Sequence, residues 1–145
     1  MASDETPALS TSDWARGHTL TILETGTTDP IDVEGKPVVL VTLRGAKTGR
    51  PRYVPLMRVE HDGSYGLVAS YGGAPEHPVW YHGLVKHPEV TIQDGTETAA
   101  YVAREVHGEE RAAWWERAVL AYPLYADYQE KTSREIPVFV CDPKA

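Results

Sequence analysis

The chain has 145 residues, of which 41% are hydrophobic and 24% are charged, and this composition is typical of one globular domain. Its net charge of −7 disfavours nonspecific nucleic-acid binding, which requires a basic face. No apolar run approaches the roughly 20 residues of a membrane span, and the N-terminal segment lacks the basic and apolar regions of a signal peptide. Cys141 is the only cysteine, so no internal disulfide can form and a cytoplasmic protein is expected.

The first predicted element is a helix near the N-terminus. Residues 1–12 are small and polar and are expected to be flexible, which leaves 13–145 as a single domain. Ser12 or Asp13 caps the first helix, and Gly26 ends it. Further helical segments are predicted at residues 78–86, 108–122 and 124–131. The apolar residues at helical spacing in the helix at 108–122, which predict its buried face, are Ala112, Trp115, Val119 and Tyr122.

The remaining pattern predicts an antiparallel sheet. Six strands are predicted, at residues 38–43, 52–61, 64–70, 89–93, 98–104 and 136–141. The first is almost wholly apolar, which indicates burial on both faces, whereas Pro55 requires an edge position or a bulge in the second. Asp62-Gly63 is a strong hairpin signal. Because hairpins outnumber strand–helix–strand units, we predict an α+β fold in which a mostly antiparallel six-stranded barrel has flanking helices.

A basic stretch between the first two strands is the main functional signal. Between Gly35 and Val59 there is no Asp or Glu. The cations of this window are Lys36, Arg44, Lys47, Arg50, Arg52 and Arg58, six of the fourteen in the chain. Such an inversion of charge in an acidic protein predicts an anion site, and Gly45 and Gly49 allow a tight turn whose amides approach a ligand. The alternative is a basic hairpin loop that is only solvated.

Patterns that would supply catalysis from the protein alone are missing. His77, His82 and His87 are five residues apart, not three or four, so no metal site is expected. Cys141 lies in an apolar strand, where a thiol is usually inert. The sequence also contains neither a Gly-x-Ser-x-Gly motif nor a phosphate-binding or dinucleotide-binding glycine motif. A cofactor is therefore expected to carry the chemistry.

Three tyrosines and a serine are candidates for a substrate site. Tyr122, Tyr125 and Tyr128 recur at intervals of three, so that their phenols can line a pocket, stack on a planar ligand and donate hydrogen bonds. Ser70 ends a predicted strand before a Gly-Gly loop, where its hydroxyl can face a ligand. The alternatives are an aromatic stripe that covers the barrel and an ordinary turn serine.

Several motifs together carry a resemblance to a known family. They are Lys47-Thr48-Gly49-Arg50-Pro51-Arg52, Pro55-Leu56, Val68-Ala69-Ser70-x-Gly72-Gly73-Ala74, Pro78-Val79-Trp80-Tyr81, Tyr122-Pro123-x-Tyr125-x-x-Tyr128-Gln129 and Ile136-Pro137-Val138. In this order and spacing they resemble the deazaflavin-dependent nitroreductase family, from about residue 37 to the C-terminus. The resemblance implies a split β-barrel, FMN-binding-like fold and coenzyme F-420, a 5-deazaflavin with a phosphodiester and an oligoglutamate tail.

The resemblance also implies roles for individual positions. Those that would hold the phosphate and tail are Ala46, Lys47, Thr48, Gly49 and Arg52. Those that would pass along or close around the deazaflavin ring are Tyr53, Val54, Pro55, Leu56, Ala69, Ser70, Tyr71, Val79, Trp80 and Tyr81. Those that would border the substrate and act in catalysis are Ser70, Tyr122, Tyr125 and Tyr128.

The implied function is hydride transfer from reduced F-420 to an electron-poor small molecule, namely a quinone, an enone or a nitro compound. A monomer or a homodimer is expected. Among three departures from the family pattern, Met57 stands where the nitroimidazole-activating member has tyrosine, Tyr71 replaces a usual lysine, and Gly83 replaces a usual asparagine. The last two leave open a deazaflavin-binding or carrier protein without turnover, and a related flavin mononucleotide enzyme is a third possibility.

Overall fold

The computed structural model of the protein describes residues 6–144, so residues 1–5 of the predicted flexible segment and residue 145 lie outside the described residues. The helices are α1 (Asp13–Thr25), α2 (Val79–Lys86), α3 (Gly108–Ala121) and α4 (Leu124–Glu130). The strands are β1 (Val38–Arg44), β2 (Pro51–Met57), β3 (Glu60–His61), β4 (Ser64–Val68), β5 (Glu89–Asp94), β6 (Glu97–Glu105) and β7 (Val138–Pro143). Within residues 6–144, no helix has the length and apolar character that crossing a membrane requires.

The strands form one curled sheet in the order β2-β1-β5-β6-β7-β4-β3, and all neighbouring strands are antiparallel. Apolar clusters cover both faces, one shared with α3 and α4 and the other with α2. Leu40 of β1 belongs to the first cluster and Val41 to the second, which confirms that β1 is buried on both faces. This half-barrel with flanking helices confirms the predicted α+β split β-barrel.

The sheet has seven strands, not the predicted six, because the extended segment at 52–61 divides into β2 and β3. Its first part pairs with β1 and its last two residues pair with β4. The change of partner occurs at Arg58 and Val59, where the Arg58 amide donates to Pro37 and the Val59 carbonyl accepts from Gly66. β2 is an edge strand, so the predicted edge position of Pro55 is confirmed.

The predicted ends of α1 are confirmed. The Ser12 hydroxyl accepts a hydrogen bond from the Ala15 amide at 3.4 Å, as an N-cap does. Gly26 has a φ of 77°, and its amide donates to the Ile22 carbonyl. This left-handed conformation is the usual helix ending that glycine permits.

The predicted buried face of α3 is confirmed only in part, since Val119 packs against an apolar cluster and Tyr122, just after the helix, is buried. Trp114 and Ala118 are the buried residues of this helix, whereas Ala112 is exposed and Trp115 is only half-buried. The reason lies in β4, where a Cβ added to Gly66 would be 2.9 Å from the Trp114 ring. The absent side chain leaves the space into which Trp114 packs, so a tertiary contact sets the helix rotation.

The N-terminal segment lies along the free edge of β2. The Ala8 amide donates to the Pro51 carbonyl at 2.9 Å, and the Tyr53 amide donates to the Ala8 carbonyl at 3.0 Å. This short parallel bridge places residues 10–15 beside β2 and at the edge of a cleft.

Candidate functional site

A cleft of about 530 Å³ lies between β2, the first turn of α2, the loop that follows β4, and α4. Its apolar walls contain Val54, Pro55 and Leu56 from β2 and Val79 and Trp80 from α2. A mostly apolar cleft of this size that also contains polar side chains is the usual form of a small-molecule site.

The opposite wall consists of Tyr122, Tyr125 and Tyr128, brought together where Pro123 separates α3 from α4. The hydroxyls of Tyr122 and Tyr128 lie 3.3 Å apart and can satisfy each other. Tyr125 is only 4% exposed, and no hydrogen bond within residues 6–144 involves its hydroxyl. This hydroxyl therefore has an open hydrogen-bonding position at the cleft.

The protonation state of these phenols follows from their burial. Burial raises the pKa of Tyr125 well above the ordinary tyrosine value, and the neighbouring phenols add to the effect. Burial also raises the pKa of Tyr122, together with its hydrogen bond to Tyr128. Both groups thus remain protonated at neutral pH, and Tyr125 is available as a hydrogen-bond donor to a bound ligand.

Ser70 supplies a second open hydroxyl. The residue lines the cleft at 8% exposure, and its hydroxyl takes part in no hydrogen bond among the described residues. The backbone that follows it has three consecutive left-handed residues, Tyr71, Gly72 and Gly73, with φ of 47°, 64° and 82°. Such a conformation is strained for Tyr71 and must be held by its surroundings.

Arg134 holds this serine loop, residues 69–74, from behind. Its guanidinium donates to the carbonyls of Ala69, Ser70 and Ala74 at 3.2, 2.8 and 2.9 Å. On the other side the loop contacts α4, since a Cβ added to Gly73 would lie 2.5 Å from the Tyr128 carbonyl oxygen. The serine loop is therefore fixed between Arg134 and α4, and Ser70 is fixed with it.

His77 also contacts Arg134, and its environment leads us to expect a pH dependence of stability. Its Nδ1 lies 3.1 Å from the guanidinium, which only donates, so Nδ1 must be unprotonated. Burial lowers the pKa of His77, Arg134 and His82 lower it further, and Glu105 partly opposes them.

We expect the free energy of unfolding to fall as the pH drops through the window between the ordinary histidine pKa and the lowered pKa of His77. In that window the unfolded chain binds more protons than the folded protein. Urea unfolding at pH 7.5 and pH 5 should show a smaller loss for His77→Asn, whose amide oxygen keeps an acceptor without titrating. Equal losses in wild type and variant would contradict the expectation, and His107→Asn, at an exposed histidine, is the matched control.

The basic turn, residues 44–50, lies next to the cleft. The Gly49 amide donates to the Gly45 carbonyl at 3.0 Å, and Gly49 has a φ of 68°. No hydrogen bond in the described part of the chain has its donor at the amide of Ala46, Lys47 or Thr48. The turn therefore has three backbone donors without a hydrogen-bond partner among the described residues, as an anion-binding site requires.

Arg52 joins the basic turn to the cleft. Its side chain lines the cleft, and its Cδ would lie 3.8 Å from a Cβ added to Gly45. Its guanidinium belongs to none of the ion pairs found within residues 6–144. A ligand with a planar ring and an anionic arm could therefore extend from the apolar slot past Arg52 to the turn.

The structure brings most of the sequence-predicted residues together. Those that line the cleft are Arg52, Val54, Pro55, Leu56, Ser70, Tyr71, Val79, Trp80, Tyr122, Tyr125 and Tyr128. Those in the basic turn are Ala46, Lys47, Thr48 and Gly49.

Besides the four residues of the basic turn, three predicted residues lie outside the cleft lining. Tyr53 packs against the apolar cluster under α3 and α4, and Ala69 is fully buried. Tyr81 stacks on His77 and donates from its hydroxyl to Glu105 at 3.0 Å. Burial and this hydrogen bond raise the pKa of Tyr81.

Part of the lining was not predicted from the sequence, notably the N-terminal segment. The additional lining residues are Ser10, Thr11, Ser12, Trp14, Ala15, Val33, Met57, Val68, Gly72 and Pro78. Trp14 is 50% exposed and contacts His18 at a ring distance of 4.6 Å. A large aromatic residue in the first turn of a helix was the available signal, but nothing local indicated that this turn borders the cleft.

Comparison with known proteins gives a consistent result. The family model for F420H(2)-dependent quinone reductase matches residues 14–143. An F420H(2)-dependent quinone reductase of Mycobacterium tuberculosis is 37% identical over 107 residues, which are 72% of each chain. A putative F420H(2)-dependent quinone reductase of the same organism is 33% identical over 108 residues, 74% of this chain and 91% of the relative.

Solved structures with the same fold include an F420-dependent reductase. An F420-H2 dependent reductase, FDR-A, is 55% identical with a TM-score of 0.69, over 72% of this chain and 93% of that one. A protein described as a domain-swapped dimer is 54% identical with a TM-score of 0.73, over 92% of this chain and 100% of that one. A heme binding protein of Mycobacterium smegmatis is 17% identical with a TM-score of 0.59, over 83% of this chain and 50% of that one, and shares the fold alone.

Proposed function

Because this chain belongs to the F420H(2)-dependent quinone reductase family, and is thus an oxidoreductase that uses coenzyme F-420, we propose that a quinone is reduced in the cleft beside β2. The observation that carries the assignment to this cleft is that the largely buried residues Ser70 and Tyr125, whose hydroxyls have no hydrogen-bond partner among residues 6–144, line it together with apolar residues. The family relationship favours this reading over a carrier without turnover.

The residues present fit the coenzyme. The apolar slot beside Val54, Leu56 and Trp80 suits a planar deazaflavin, and the open amides of the basic turn suit a phosphodiester. Arg52 lies between these two features and would bind the anionic arm where it leaves the slot. Lys47 would contact the same arm from the turn.

In its reduced form the bound coenzyme supplies a hydride, and the protein supplies the surroundings. Reduction of a quinone to the hydroquinone adds one hydride and one proton, so negative charge develops on an acceptor oxygen. Tyr125 and Ser70 would donate hydrogen bonds to that oxygen, because both hydroxyls are open toward the cleft. Since burial raises the pKa of Tyr125, its phenol holds its proton as a donor, and water supplies the proton that the product keeps.

The other lining residues would orient the acceptor. Tyr122 and Tyr128 satisfy each other and would serve as an aromatic wall against a flat ring. Trp14 would cover the cleft from the side of α1 and reduce the access of water. Tyr53, Ala69 and Tyr81 would support the lining from behind.

The proposal includes a small-molecule partner and a cytoplasmic location. The negative net charge supports a small-molecule partner over nucleic acid. Cys141 is the only cysteine, and burial raises its pKa to about 12, which keeps it as a thiol. A protein without disulfides suits the reducing cytoplasm.

The test is a fluorescence titration of the purified protein with F-420, beside the same titration with flavin mononucleotide. We expect saturable binding of F-420 and no binding of flavin mononucleotide. When menadione or another soluble quinone is added to the protein with reduced F-420, we expect the reduced F-420 to be oxidised. Binding of flavin mononucleotide without F-420 would overturn the cofactor assignment to this cleft. Binding of F-420 without oxidation by any quinone would overturn the substrate assignment.

A further inference from the structure

Helix α2 approaches the basic turn very closely at Gly83. A Cβ added to Gly83 would lie 2.1 Å from the Arg44 carbonyl oxygen and 3.3 Å from the Ala46 amide nitrogen. Real Cβ atoms essentially never come within 3.0 Å of a heavy atom outside their own residue and its chain neighbours, and here the obstacle is backbone. Any side chain at this position would therefore push α2 away from the end of β1.

This close approach places the last turn of α2 against the basic turn. The Lys86 Nζ donates to the Ala46 carbonyl oxygen at 3.1 Å. His87 lies on the same side, since its Nε2 would be 3.9 Å from a Cβ added to Gly49. Residues that are about 40 positions apart in the sequence are thus joined on one surface.

Lys86 adds a cation to a surface that is already basic. The other cations there are Lys47, Arg50 and Arg52, and no ion pair found within residues 6–144 involves any of these four residues. An ammonium group has three donors and no acceptor, so one hydrogen bond to Ala46 leaves two donors open. Beside them lie the open amides of the turn.

We propose that Lys86 binds the anionic arm of the coenzyme and that the last turn of α2 forms a second wall of the anion site. The inference rests on the proposed function. The phosphodiester or a tail carboxylate would lie between Lys86 and the amides of residues 46–48, with Arg52 nearer the ring. Gly83 is the residue that permits this wall, because it lets α2 come within reach of the turn.

The test compares two ligands and two matched lysine variants. Lys86→Gln keeps an N–H donor for the Ala46 carbonyl but removes the charge. The control is Lys36→Gln, which removes a positive charge next to the other end of β1. Because β1 has seven residues, this end lies roughly 20 Å from the basic turn. Each protein is titrated by fluorescence with F-420 and with the deazaflavin chromophore that lacks the phosphate and the tail.

We expect Lys86→Gln to weaken F-420 binding about threefold to fivefold, the upper part of the range that an exposed ion pair provides. Affinity for the truncated chromophore should not change, and the dependence of F-420 affinity on salt should become less steep. Lys36→Gln should behave like the wild type. Thermal unfolding of each variant verifies that the fold is retained.

Equal weakening of both ligands by Lys86→Gln would overturn the inference, because Lys86 would then only brace the turn. Unchanged affinity for both ligands would overturn it as well, while leaving the proposed function intact. If the wild type binds neither ligand, the proposed function fails first and this inference fails with it. Gly83→Ala gives a second measurement, since it should weaken F-420 binding much less in a protein that already contains Lys86→Gln.

Discussion

Replacing Tyr125 with phenylalanine should lower quinone turnover roughly 10- to 100-fold, somewhat less than the loss of a strong oxyanion-hole donor in other enzymes. Affinity for F-420 should change much less. The reason is geometric. Tyr125 lines the cleft and its hydroxyl has no hydrogen-bond partner among residues 6–144, so the substitution leaves no donor or acceptor of these residues unsatisfied in the free enzyme. The measurement is kcat and KM for the quinone together with the dissociation constant of F-420.

The matched control is Tyr101→Phe, which removes a phenol from a half-buried tyrosine of β6 that does not line the cleft. It should leave both constants near their wild-type values. If Tyr125→Phe instead reduces turnover and coenzyme affinity by the same factor, the residue belongs to the coenzyme side of the cleft. Ser70→Ala should show the same pattern as Tyr125→Phe with a smaller loss, because an aliphatic hydroxyl is a weaker hydrogen-bond donor than a phenol.

Replacing both Arg52 and Lys47 with alanine should weaken F-420 binding strongly, and most of the loss should come from Arg52. Arg52 is half-buried and lines the cleft, so its charge-assisted contact should contribute roughly 1.5–3 kcal/mol, about ten- to 150-fold in affinity. Lys47 is exposed in the basic turn, where water screens its charge, and should contribute at most about 1 kcal/mol. Fluorescence titration of the two single variants and the double variant measures each contribution.

Arg117→Ala is the control, because it removes a cation that lies over the Trp114 ring on α3 and does not line the cleft. A double variant that binds F-420 as tightly as the wild type would exclude the proposed placement of the anionic arm. A larger loss from Lys47 than from Arg52 would mean that the arm lies across the turn and not along the path from the slot.

Local signals were sufficient for many elements of this fold. The Asp62-Gly63 turn has φ of 52° and 84°, as a tight hairpin requires, and both residue types tolerate that backbone region. Ser12 and Gly26 cap α1 through contacts within a few residues. Such features depend on backbone preferences of short segments, which is why the sequence predicts them.

Other features depend on what lies across the fold. The division of the segment at 52–61 follows from a change of partner strand, and the rotation of α3 follows from the missing side chain at Gly66. The two partner strands, β1 and β4, flank this segment in the sequence, but nothing local marks the residue at which the partner changes, so one longer strand was predicted. Gly66 lies far from Trp114 in the sequence, so the period of apolar residues placed Trp115 on the buried face. In both cases a tertiary contact decides what the local pattern leaves open.

The same distinction between sequence and tertiary structure applies to the candidate site. Its residue types and their order along the chain, from the basic turn to the three tyrosines, were sufficient for the family resemblance and for the expected coenzyme. Three features of the site could not be predicted from the sequence: the hydroxyl of Tyr125 without a partner among the described residues, the hydrogen bonds of Arg134 to the serine loop, and the contact of Lys86 with Ala46. Each depends on which residues the fold brings together or leaves without a partner. The residue types that determine the chemistry can be identified from the sequence, whereas distances and burial are set only by the tertiary structure.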